Sequence, residues 1–389
     1  MEKTIPKAKG REVMKTVSLI DLCYSVTDCP HSTPKWTNDG KIVIRNQNIR
    51  NGRLDTSSVS YTTQEDYDKR IKRALPNAGD IIITREAPMG EVCIIPDDLE
   101  CCLGQRMVLL KPNRDLVDNN YLLYALMSPY VQNQISWSEG TGTTVSNLRI
   151  PHLEKLQIPI FELKKQRKIA KLLANLDKKI EVNDEINDNL EQQVSVLYQS
   201  WFEDFDLTSG ICPENWRYQE LSTIADIASG KRPPVKSEVC NQETPISIIG
   251  AASVMGFTSK ANHMDKILVT GRVGTHGVVQ RFNTPCWTSD NTLVITSPYY
   301  EFTNQILHRI DYSSMNRGST QPLITQGDMK KVVVLVPDEE TLTKFEALAS
   351  LLMAQWEANN NENVKLASLR DTLLPKLMSG QVDVSGIQL

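Results

Sequence analysis

Nine consecutive residues, Arg45-Asn46-Gln47-Asn48-Ile49-Arg50-Asn51-Gly52-Arg53, hold three arginines and four side-chain amides. Arginine can form paired hydrogen bonds to guanine, and Asn or Gln can do the same to adenine. The chemistry such a cluster offers is therefore the reading of base edges in duplex DNA. It follows an aliphatic run at 42–44 that reads as a strand, so a rigid element would present it. Arg45, Gln47, Asn48, Arg50 and Arg53 are the candidates, with a solvated polar loop as the alternative reading. The matching place in the second half, Ile249-Gly250-Ala251-Ala252-Ser253-Val254-Met255-Gly256-Phe257, has no such groups. There the candidates are Lys231, Arg232, Lys236, Arg272, Asn291, Arg317 and Gln321. Arg85, Arg106 and Arg149 are placed to hold phosphates or to pair with nearby carboxylates.

Other strings suggest catalysis and do not sustain it. Ser128-Pro129-Tyr130 and Ser297-Pro298-Tyr299 faintly resemble the Asn/Asp-Pro-Pro-Tyr loop of amino-methyltransferases, but the second proline is missing from both. No glycine-rich strand-to-helix turn for S-adenosylmethionine precedes them. Gly271-Arg272-Val273-Gly274-Thr275-His276-Gly277 lacks the Gly-Lys-Ser/Thr of a phosphate loop. No cluster of carboxylates with a lysine has the spacing of a nuclease. The chain reads as a non-enzyme with no cofactor.

Bulk properties set outer limits. The 389 residues carry 43 Lys+Arg against 47 Asp+Glu, a net charge of −4, with 23% charged and 40% hydrophobic residues. That composition suits folded protein and a length of two or three domains. No apolar run approaches the roughly 20 residues that span a bilayer. The polar, basic start, MEKTIPKAKGREVMK, is no secretory signal. Eight cysteines form no C-x-x-C pair, and Cys23, Cys29 and His31 are not read as a metal site. The expectation is a cytoplasmic protein with reduced thiols and no metal. Segments 161–212 (7 basic, 10 acidic) and 338–389 (4 and 8) are acidic, whereas 1–160 (20 and 19) and 213–337 (12 and 10) are slightly basic. Nucleic acid would then be held by two separate blocks and not by one basic face.

The elements that must position those residues come as a tandem repeat. Ile42-Val43-Ile44 with Gly52 is echoed by Ile246-Ser247-Ile248 with Gly256, and Asp80–Arg85 with Gly90 by Lys266–Arg272 with Gly277. At an offset of 176, Gly142-Thr143-Thr144 matches Gly318-Ser319-Thr320, and 156–160 matches 332–336. Short aliphatic runs at 81–84, 92–95, 107–110, 267–270, 278–281 and 293–296 predict strands, and 119–134 predicts a helix interrupted near Pro129. Each block is expected to be α+β.

After each block comes a stretch free of Gly and Pro until Pro375. Ile169, Leu173, Leu176, Ile180, Asn183, Asn187, Leu190, Val194, Leu197 and Trp201 are spaced alternately four and three apart, the seam of a coiled coil. Adding 176 gives Phe345, Ala349, Leu352, Trp356, Asn359, Asn363, Leu366, Arg370, Leu373 and Leu377. The spacing predicts two helices paired antiparallel, with Asn183 facing Asn363 and Asn187 facing Asn359 to fix register.

In its order of parts the chain resembles the specificity (S) subunit of type I restriction-modification systems. The carriers are Asp80–Gly90, its echo Lys266–Gly277 and the closing Leu369-Arg370-Asp371-Thr372-Leu373-Leu374-Pro375-Lys376-Leu377-Met378-Ser379-Gly380. The resemblance implies a target recognition domain at 1–160, a first spacer helix at 161–207, a second recognition domain at 213–337 and a second spacer helix at 338–380. It also implies double-stranded DNA, two modification subunits and restriction subunits as partners. One half-site would be read per domain. Adenine methylation and cleavage would then belong to the assembled complex. The competing reading is a coiled-coil protein adaptor that binds no DNA.

Overall fold

A computed structural model describes residues 14–137, 147–315 and 323–387. The chain divides into two units, one made of residues up to Val182 together with those from Glu362 onward, the other of Asn183–Asn361. The division cuts each of two 40-residue helices, Leu163–Phe202 and Glu339–Met378.

In the first unit, strand Thr16–Ser18 pairs antiparallel with Gln157–Pro159 and closes the globular block on itself. Between them lies an antiparallel sheet in the order Cys23–Asp28, Met107–Pro112, Ile81–Thr84, Val92–Ile94. A second sheet runs Cys101–Leu103, Lys41–Ile44, Ser60–Thr62, Trp36–Thr37, and its first pair is parallel. Ile81, Ile82 and Ile83 are all fully buried, because the strand is covered on both faces and its sequence is continuously aliphatic instead of alternating. The helical stretch around Pro129 is two helices, Asn119–Met127 and Pro129–Ser136. Ser128 is extended between them because a residue before proline is driven out of the helical region.

The second unit repeats this plan. Arg217–Glu220 pairs antiparallel with Val333–Val336. One sheet is ordered Asp226–Ser229, Thr292–Thr296, Ile267–Gly271, Gln280–Phe282. The other is ordered Val254–Thr258, Ile246–Ile249, Trp287–Thr288, with the last pair parallel. The strand expected at 278–281 begins two residues later, at Gln280, after the turn around Gly277 (φ 79°). Both units are mixed α/β, and their strands recur in the same order with the same parallel pair, except that the three-stranded sheet of the second unit has no counterpart to Trp36–Thr37.

Within each unit the two long helices lie antiparallel. In the first, Ile169 and Leu173 share a core with Leu374, Leu377 and Met378, while Lys179 Nζ reaches Glu362 at 3.2 Å. Arg370 Nη1 meets Asp177 Oδ1, next to the seam residue Leu176, at 2.7 Å. In the second, Asn359 Nδ2 donates to Asn187 Oδ1 at 2.9 Å, and Trp201 and Tyr198 stack edge-on against Phe345 at 6.0 Å. Rising numbers on one helix meet falling numbers on the other in both cases. Burial of Asn187 (5% exposed) and Asn359 (6%) is tolerated because each amide finds the other.

A charged knot fastens the second long helix to its block. Arg281 makes a two-pronged pair with Glu301, 2.7 Å on each side, with the Tyr300 and Trp356 rings 5.0 and 5.6 Å from its guanidinium. Glu346 accepts from the first-turn amides of Glu301 and Phe302 at 3.0 and 3.3 Å, where the helix dipole favours an anion. Burial nevertheless pushes its carboxyl above the ordinary value.

Candidate nucleic-acid interface

Ile44 and Ile49 are both fully buried, which pins the two ends of the arginine/amide stretch to the block. Between them the chain makes one short helical turn, Asn46–Asn48. Asn48 organises that turn. Its Oδ1 accepts the Arg45 amide at 2.9 Å, and its Nδ2 donates to the carbonyls of Asp55 (3.1 Å) and Ser58 (3.2 Å). At 1% exposure with both ends of its amide engaged, Asn48 holds the loop in shape and offers nothing to a ligand.

The organised turn throws Arg45 and Gln47 outward. The Arg45 guanidinium lies 5.1 Å from the Trp36 ring, and Nη1 reaches Ser60 Oγ at 3.4 Å. Trp36 is itself 46% exposed. Arg45, Asn46 and Gln47 line an open cleft of about 340 Å³ together with Trp36, Gln105, Arg106 and the apolar Pro34 and Ala87. Arg106 is exposed, has a positive φ of 66°, and meets Glu86 at 3.1 Å. Asn46 donates to the Glu86 carbonyl and Gln105 to the His31 carbonyl, so a stacked guanidinium, the exposed Gln47 amide and a second arginine are the groups the cleft offers to base edges and phosphate.

The remaining candidates are scattered. Arg50 is exposed and 3.8 Å from Glu91. Arg53 donates to the Asp177 carbonyl at 2.9 Å, so it is turned toward the first long helix. Arg85 is consumed internally, with two bonds to Asp28 at 2.9 and 2.8 Å, one to the Leu148 carbonyl and one to Asn147. Arg149 is exposed just before helix Ile150–Glu154. In the second block Lys231, Arg232 and Lys236 are exposed, and the Trp287 indole donates to the Lys231 carbonyl at 2.7 Å. Arg232 sits 3.8 Å from Asp290 with 87% of its side chain in solvent, a pair of little energetic weight. Arg272 is half-buried, Asn291 is exposed, and Arg317 and Gln321 lie outside the described residues. Of the helix amides, Asn183 is fully buried and Asn363 half-buried.

Trp36 and Gln105 were absent from the sequence candidates. Their adjacency to Arg45 comes from pairing. Leu103 sits beside Ile44 in the parallel pair, so the residues leaving both strand ends emerge together. Trp36 joins through Ser60–Thr62. No local spacing carries that information.

The strings that suggested catalysis have structural work. Ser128 Oγ donates to the Ala125 carbonyl and Ser297 Oγ to the Ile224 carbonyl, each beside the start of a helix. Burial pushes the thiol of Cys23 up to about 12 and those of Cys102 and Cys286 to about 11, so none of these three is a thiolate at neutral pH. Among the described residues no three His, Cys, Asp or Glu side chains gather as a metal site, and no helix is long and apolar enough to cross a membrane.

Comparison with known proteins reaches the same architecture. Residues 12–192 match the family model described as the type I restriction modification DNA specificity domain. The MjaIX specificity subunit of Methanocaldococcus jannaschii is 25% identical over 79% of this chain and 78% of its own. The HindI specificity subunit of Haemophilus influenzae is 20% identical over 82% of this chain and 89% of its own. The first block and the start of the first long helix are thus similar to that DNA specificity domain, and most of the chain is similar to type I specificity subunits. The chain's fold is shared with the crystal structure of the S subunit from M. genitalium, at a TM-score of 0.56 and 20% identity over 96% of this chain and 99% of that one.

Proposed function

We propose that this chain is a specificity subunit that reads a bipartite DNA site, one half-site per globular block, within a type I restriction-modification complex. The long helices set the gap between half-sites and dock two modification subunits, which restriction subunits then join. Adenine methylation and cleavage belong to those partners. The observation that carries the reading is the cleft between Trp36, Arg45, Gln47 and Arg106 in a block whose strand plan recurs in the second unit. Two similar blocks with different surface residues suit two different half-sites. Asn187 and Asn359 serve as the register pair of the helices, together with Asn183 and Asn363, since a buried amide on a seam penalises slipped alignments.

The test is alanine at Arg45 and, separately, at Gln47. Each should weaken recognition of one half-site by about 1–3 kcal/mol and relax preference at a single base pair. Mapping methylated adenines in cells carrying each variant reads this directly. Two unchanged motifs, methylated as fully as before, would move base reading out of the cleft.

A further inference from the structure

The strand plan aligns the units residue by residue at one place. Asp28 lies opposite Val108, and Val108 opposite Ile83, two residues before Arg85. Ser229 lies opposite Leu293, and Leu293 opposite Thr270, two residues before Arg272. The backbone agrees. The Arg85 amide donates to the Arg106 carbonyl and its own carbonyl accepts from Leu148; Arg272 does the same with Asn291 and Ile324, each at 2.8 and 3.0 Å. Arg85 and Arg272 are thus counterparts, as are Asp28 and Ser229.

Their side chains differ in one respect. Arg85 spends its guanidinium on the Asp28 carboxylate, with further bonds to Leu148 and Asn147. Where Asp28 stands in the first unit, the second has a serine that carries no charge. The Arg272 guanidinium has no hydrogen-bond, ion-pair or ring partner among the described residues, and its buried Nε is unsatisfied. A half-buried arginine with an unpaired N–H is costly unless something supplies the acceptor. Tight backbone packing fixes where it stands, since a Cβ on the preceding Gly271 would meet the Thr275 carbonyl at 1.8 Å.

We infer that Arg272 is a DNA backbone contact of the second block, its guanidinium left unpaired so that a phosphodiester takes the place that Asp28 holds beside Arg85. A phosphate offers the same two-oxygen face as a carboxylate and suits the same bidentate fork. This rests on the DNA-reading function proposed above and names a gripping residue that the first block has neutralised.

The experiment is salt-titrated binding of the full chain to a labelled random-sequence duplex. Arg272→Ala and Ser229→Asp are each expected to weaken binding several-fold and to make the salt slope shallower by about 0.9, the loss of one phosphate contact. Ser229→Asp should keep or raise the unfolding midpoint, because it installs the ion pair of the first unit. Adding it to Arg272→Ala should cost no further affinity. Unchanged affinity and slope in either single variant overturns the inference while leaving the DNA reading intact. No binding by the unsubstituted chain, alone and with its modification subunit, overturns the reading and the inference together.

Discussion

Truncating Phe345 to alanine should destabilise the second unit by about 3–5 kcal/mol, the range for removing a large buried aromatic. Phe345 is fully buried, with ring centroids of Tyr198, Trp201, Phe202 and Phe302 between 5.1 and 6.1 Å away. It is where the start of one long helix, the end of the other and helix Tyr300–Arg309 all meet. Removing it opens a cavity among rings that are held by three elements and cannot collapse together. Leu351, six residues on and 72% exposed, is the control; its alanine variant should stay within about 0.5 kcal/mol. Denaturant unfolding followed by tryptophan fluorescence reads both, through Trp201 and Trp216 near the cluster. A Phe345→Ala cost below about 1 kcal/mol would mean the aromatic cluster does not hold the helices to the block.

Lengthening both helices by one heptad should change the DNA site and not merely weaken its recognition. Seven residues preserve the four-three seam and add about 10 Å at 1.5 Å per residue. At 3.4 Å per base-pair step that is a gap longer by about three base pairs. Methylation at the original site should disappear, and a motif with the same half-sites and the longer gap should take its place. Altered half-sites with an unchanged gap would contradict the spacer role.

The repeat and the long helices were legible in the sequence because each leaves a periodic trace. A four-three apolar seam and its copy 176 residues later need no tertiary knowledge, and the seam places Asn187 and Asn359 where their amides meet. Strands such as Ile81–Thr84 were legible for a similar reason, since burial on both faces makes the run continuously aliphatic. The site was less legible. The stretch Arg45–Arg53 looks uniformly polar, yet it divides into outward-facing side chains (Arg45, Gln47), an internal fastener (Asn48) and a residue tied to the long helix (Arg53). Polarity in a sequence does not distinguish a side chain that binds a ligand from one that satisfies its own backbone. Arg85 and Arg272 make the same point, since identical residues at equivalent strand ends differ in fate through Asp28 and Ser229, distant in sequence.

The most direct test of the central claim is selection of bound sequences from a random duplex pool by the unsubstituted chain assembled with modification subunits. The account predicts two short specified half-sites flanking a gap of fixed length and free sequence. A single contiguous motif, or recovery of no motif at all from a complex that still binds the pool, would contradict it.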